Sequence, residues 1–155
     1  MFAPESIDQI DVIDSGGKDE VLRGIAIAGR SRRLRVAGVL DGDQRGPHGE
    51  SGVFFLPGDT APEALLLDAL RVRADQAAAA LSVAVSDLRV ALDAARFVPH
   101  QRVFQAMSAS LQSCTANEIW DYALVSWLQS EGVIASAREL AEQLLAITAM
   151  DTSEA

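Results

Sequence analysis

Apolar and polar residues along the first sixty positions predict three short strands and one helix. Residues 7–14 alternate loosely and end at Ser15-Gly16-Gly17, which indicates a strand followed by a glycine turn. The segment 18–29 has acidic residues in its first turn and apolar residues at helical spacing, so we predict a helix there. Residues 34–40 are apolar on both faces, which is typical of a buried parallel strand, and residues 53–56 form a third strand.

From about residue 61 onward, the apolar spacing is helical throughout. We predict a helix over 61–70, a single long helix over 74–96, and a further helix that Pro99 opens at its first turn. The tetrads Thr115–Glu118 and Ser136–Glu139 match the capping-box pattern and predict the starts of the last two helices. The one-sided stripe that supports the long helix consists of Leu81, Val85, Leu88 and Leu92.

The order of these elements predicts an α/β fold with a Rossmann-like parallel sheet, followed by an α-helical C-terminal region. We place the α/β domain at residues 1–72, the helical region at 73–150 and a disordered tail at 151–155. A chain of 155 residues with 49% hydrophobic residues is long and apolar enough to build a core.

Charge is distributed unevenly along the chain. The net charge of −9 argues against a nucleic-acid binder held by bulk electrostatics alone. The first 58 residues carry nine acidic and seven basic residues, whereas the remainder carries thirteen acidic and six basic ones. The first part also contains a basic cluster that either follows nucleic-acid phosphates or forms a solvated loop, and it consists of Arg30, Arg32, Arg33 and Arg35.

Side chains that commonly bind zinc or form disulfides are few. Cys114 is the single cysteine, so no internal disulfide can form, and with only two histidines a structural zinc site is not expected. The start of the chain lacks the basic and apolar pattern of a secretory leader, and no apolar run reaches the roughly 18 residues of a membrane span. We therefore expect a cytoplasmic protein without a membrane segment.

Two aspartates follow the second predicted strand. Asp41 and Asp43 stand just beyond residues 34–40, and open α/β sheets bind ligands at the carboxyl ends of their strands. Two carboxylates one residue apart can converge on a hard cation, and Gly42 between them allows the backbone to bend closely around it. The sequence thus predicts a Mg²⁺ or Mn²⁺ site, and the alternative is a polar turn in which the carboxylates cap backbone amides.

Four motifs share an order that is typical of one protein family. They are the Gly16-Gly17-Lys18 turn, the Asp41/Asp43 pair, the strand end Leu56-Pro57, and a helix in which Glu63 precedes several leucines. This order resembles the Toprim domain of overcoming-lysogenization-defect (OLD-like) ATP-dependent endonucleases. The resemblance covers most of the first 70 residues, and the aspartate pair is its most specific element.

The resemblance implies a divalent-metal-dependent DNA endonuclease that hydrolyses phosphodiesters with two metal ions, in phage defence or DNA repair. Asp41 and Asp43 would be the catalytic metal ligands. Glu63 would be a further ligand, or simply an acidic residue in the first turn of a helix. Toprim domains of this family carry an essential glutamate on an earlier strand and follow an ATPase domain. Only about six residues precede the first strand here, so we expect a subunit or fragment completed by an ATPase-domain partner or by a second copy.

Two other functions remain open from the sequence. The chain could be an inactive Toprim-like interaction subunit whose helical region docks the ATPase partner through Trp120 and Trp127, unless these residues pack in the core. It could also be a haloacid-dehalogenase-like phosphatase with Asp41 as nucleophile and Asp43 as acid/base. Against the phosphatase, Gln44-Arg45 follow the pair where that family has a threonine, and no lysine lies downstream.

Overall fold

The computed structural model describes residues 11–31, 34–45 and 51–149, with side chains up to residue 147. The chain forms two compact units. One contains the residues up to Pro57 together with those from Ser136 onward, and the other is Gly58–Ala135. In the described part the chain is mostly helical and contains a two-stranded parallel sheet, in agreement with an α/β segment followed by helices. The Rossmann-like Toprim topology stays a prediction, as does the tail at 151–155, which lies outside the described residues.

The first unit contains helix α1 (Lys18–Ala28) and strands β1 (Gly38–Leu40) and β2 (Val53–Phe55). The strands are parallel, with Gly38 opposite Val53 and Leu40 opposite Phe55. Two further backbone hydrogen bonds extend the ladder, from Gly38 N to Gly52 O and from Leu56 N to Leu40 O, both 2.9 Å. The predicted strand at 53–56 is therefore confirmed to within one residue, whereas the strand predicted at 34–40 is formed only in its last three residues.

Helix α1 packs closely against β1 at Gly38. A Cβ atom placed on Gly38 would lie 2.5 Å from Ile25 Cδ1 and 2.6 Å from Val21 Cγ1, so only glycine leaves room for the helix. Val21 and Ile25 belong to the half-buried apolar face that the helical spacing predicts. The helix predicted at 18–29 is confirmed, and Gly29 caps it by donating its backbone N–H to Ile25 O.

The strand predicted at 7–14 is wrong for its described part, residues 11–14, which form no strand. Val12 is 92% exposed, so its side chain lacks the burial that stabilises a strand face. Instead, Asp14 Oδ1 accepts a hydrogen bond from Gly16 N at 2.9 Å, and Gly16 adopts a positive φ of 87°. The predicted glycine turn is thus present, while residues 7–10 lie outside the described residues.

The remaining helices are α2 (Pro62–Val72), α3 (Ala74–Ala80), α4 (Val85–Ala95), α5 (Val103–Leu111), α6 (Ala116–Leu128) and α7 (Val133–Ala149). A short 3-10 helix, His100–Arg102, follows Pro99 and leads into α5, as the proline predicts. α7 begins in the residue range of the second unit and continues into that of the first. None of the helices in the described residues combines the length and apolar character needed to cross a membrane.

The core of the second unit lies among α2, α4, α5 and α6. Leu70, Leu88 and Ile119 are completely buried in it. Trp120 and Trp127 pack against this core, and the Trp120 ring meets Phe104 edge-on at a centroid distance of 5.1 Å. Burial of these apolar side chains is the main stabilising term of such a helical unit. The core-packing interpretation of the two tryptophans therefore accounts for their positions.

The single long helix predicted at 74–96 is wrong, because the chain breaks between α3 and α4. Ser82 adopts a left-handed conformation with φ of 55°, and its backbone N–H donates to Ala79 O while Val83 N donates to Ala78 O. These two bonds form a Schellman cap, which usually has glycine at the left-handed position. Because serine occupies this position, the sequence lacks the glycine that would mark the end of a helix. The buried apolar stripe of Leu81, Leu88 and Leu92 also continues across the break.

The two predicted capping boxes have different outcomes. At α6, Thr115 Oγ1 accepts from Glu118 N at 3.2 Å, and Glu118 Oε2 accepts from Thr115 N at 2.7 Å, so the predicted box is confirmed. The hydrogen bonds from the Thr115 backbone and side chain lower the pKa of Glu118, whereas burial and the nearby Glu118 charge raise the pKa of the Cys114 thiol. The box predicted at Ser136 is wrong, because α7 already begins at Val133.

Candidate metal centre

The acidic loop, Asp41 to Arg45, begins where β1 ends. Asp41 has an extended backbone, and Gly42–Gln44 then form one turn of 3-10 helix in which Gln44 N donates to Asp41 O at 3.0 Å. Gly42 is buried, whereas the side chains of Asp41 and Asp43 are exposed. The loop thus folds its glycine inward and leaves both carboxylates accessible to a cation and to a large substrate.

Arg45 holds the far end of the acidic loop on β2. Its Nη2 donates to Leu56 O at 3.0 Å, and its guanidinium lies 5.6 Å from the centroid of the Phe55 ring. A hydrogen bond combined with a cation–π contact stabilises this side chain on the neighbouring strand. Because β2 is paired with β1, both ends of the acidic loop are attached to the same small sheet.

Lys18 contacts the acidic loop through Gln44. Its Nζ donates to Gln44 Oε1 at 3.3 Å, which joins the first residue of α1 to the residue after Asp43. The close packing of α1 at Gly38 and this contact together place the start of α1 at the carboxyl end of β1. Lys18, which follows the glycine turn, is therefore in contact with the loop that carries the aspartate pair, although more than twenty residues separate them.

Glu63, the third predicted ligand, belongs to the second unit. It is half-buried in the first turn of α2 and lines a pocket of about 120 Å³ together with His100, Asn117 and Trp120. Arg73 at the end of α2 bonds to the backbone oxygen of Gln129 at 3.1 Å, so α2 and α6 run parallel from this pocket. The metal role of Glu63 stays a prediction.

The predicted basic cluster is described only in part. Arg30 and Arg35 are exposed, while Arg32 and Arg33 lie outside the described residues. Arg30 lies two residues beyond the C-terminal end of α1, whose helical rise from Lys18 to Ala28 is about 15 Å. A substrate that contacted both Lys18 and Arg30 would therefore follow the length of α1.

No group of three or more potential metal-ligating side chains (His, Cys, Asp or Glu) occurs within the described ranges. The pair Asp41 and Asp43 would then complete a cation's coordination with water and substrate oxygens, as Mg²⁺ commonly does. Gln44 and Arg45 hold the acidic loop in place, a role that we did not predict from the sequence. The sequence feature that could have indicated this role is that both residues lie within four positions of Asp41, at the start of a polar loop.

Comparisons of the chain with protein-family models, with curated proteins and with solved structures find no match. The likeness to OLD-like Toprim domains thus rests on the order of the four motifs.

Proposed function

We propose that the first unit is a Toprim-type module of a divalent-metal-dependent DNA endonuclease. Asp41 and Asp43 would hold Mg²⁺ or Mn²⁺, which would supply a metal-activated water for phosphodiester hydrolysis. The observation that supports the proposal is the hydrogen bond from Lys18 to Gln44, the residue after Asp43, just beyond the carboxyl end of a parallel strand. Two carboxylates and one ammonium group on contacting segments suit a metal ion and a phosphate together.

Exposure of the two carboxylates supports a large substrate. A duplex cannot enter a narrow cleft without distortion, whereas the acidic loop leaves Asp41 and Asp43 open to solvent. Two carboxylates also leave most of the coordination sphere of Mg²⁺ for water and phosphate oxygens. An ATPase-domain partner or a second copy of the chain would supply the additional acidic ligand that two-metal hydrolysis uses.

The test is nicking of supercoiled plasmid in Mn²⁺. We expect the wild type to nick the plasmid and Asp41→Asn/Asp43→Asn to be inactive, because the variant keeps the shape of the loop and loses both ligand charges. The matched control is Asp59→Asn/Asp121→Asn, which removes the same charge from exposed positions of the second unit. Nicking by the double-ligand variant at the wild-type rate would contradict the proposal. Absence of nicking by the wild type would refute independent activity and indicate a docking subunit or a fragment that needs its ATPase-domain partner.

A further inference from the structure

We draw no further inference here: the strongest candidate, the half-open pocket of about 120 Å³ that Glu63, Asn117 and Trp120 line at the starts of α2 and α6 in the second unit, holds no buried unpaired polar atom within the described residues, and nothing else in the structure shows what would occupy it.

Discussion

Replacement of Gly38 by alanine perturbs the packing that brings Lys18 to the acidic loop. The new methyl group would lie 2.5 Å from Ile25 Cδ1 and 2.6 Å from Val21 Cγ1, about 1 Å inside ordinary carbon contact. Overpacking of this kind costs about 1–3 kcal/mol. Alanine also lowers the conformational entropy of the unfolded chain relative to glycine, which offsets about 0.4–1 kcal/mol of this cost. We therefore expect the packing of α1 on β1 to lose about 1–2 kcal/mol.

Native-state hydrogen exchange measures this loss locally. Amide protection along α1 should fall about tenfold in Gly38→Ala, because each 1.4 kcal/mol changes the opening equilibrium by that factor. Fluorescence of the tryptophans, both of which lie in the second unit, checks that the rest of the chain remains folded.

Gly24→Ala is the matched control, and it should have the opposite sign. A Cβ on Gly24 meets nothing within 4 Å, and alanine is favoured over glycine inside a helix by about 1 kcal/mol. Protection of α1 should therefore rise in this variant. If Gly38→Ala protects α1 as well as the wild type does, the helix does not pack on β1 in the manner described.

Three further predictions concern single side chains. Ser82→Gly should raise the melting temperature by about 2–4 °C in calorimetry, because glycine removes roughly 1 kcal/mol of left-handed strain at the α3 cap; an unchanged melt would refute the Schellman assignment. Glu118 has a lowered pKa, so its carboxylate stabilises the fold at neutral pH, and that contribution is lost as pH falls through the folded-state pKa. Glu118→Gln should accordingly melt below the wild type at neutral pH and converge with it in acid, and a constant difference would contradict the capping role. Glu63→Gln should weaken Mn²⁺ binding in isothermal titration calorimetry if the predicted ligand role of Glu63 holds, whereas an unchanged affinity would make Glu63 an acidic residue of the first turn of α2 and no more.

The helices were largely predictable because their signals are local. The start of α6 follows from Thr115 and Glu118 alone, and nothing before Thr115 competes, since Gln112 already has a left-handed backbone. The same pattern at Ser136 did not mark a helix start, because the residues from Val133 to Ala135 are themselves helical and α7 begins directly after Gly132. A capping tetrad therefore predicts a start only where the preceding residues cannot join the helix.

The strands and the site were less predictable because they depend on distant contacts. Residues 11–14 have a strand-like alternation but no pairing partner in the described residues, whereas Gly38–Leu40 become a strand by pairing with Val53–Phe55. The aspartate pair was visible in the sequence as a motif. Its neighbours were not, because the contact of Lys18 with Gln44 depends on how α1 packs over Gly38.

Binding of Mn²⁺ to the purified protein tests the central claim most directly. Electron paramagnetic resonance counts free Mn²⁺ during a titration of the wild type, of Asp41→Asn/Asp43→Asn and of Asp59→Asn/Asp121→Asn. We predict that the wild type and the charge-matched control bind Mn²⁺ equally, and that loss of both ligands weakens binding at least about tenfold. Equal binding by all three proteins, or no binding by the wild type, would contradict a metal site at Asp41 and Asp43.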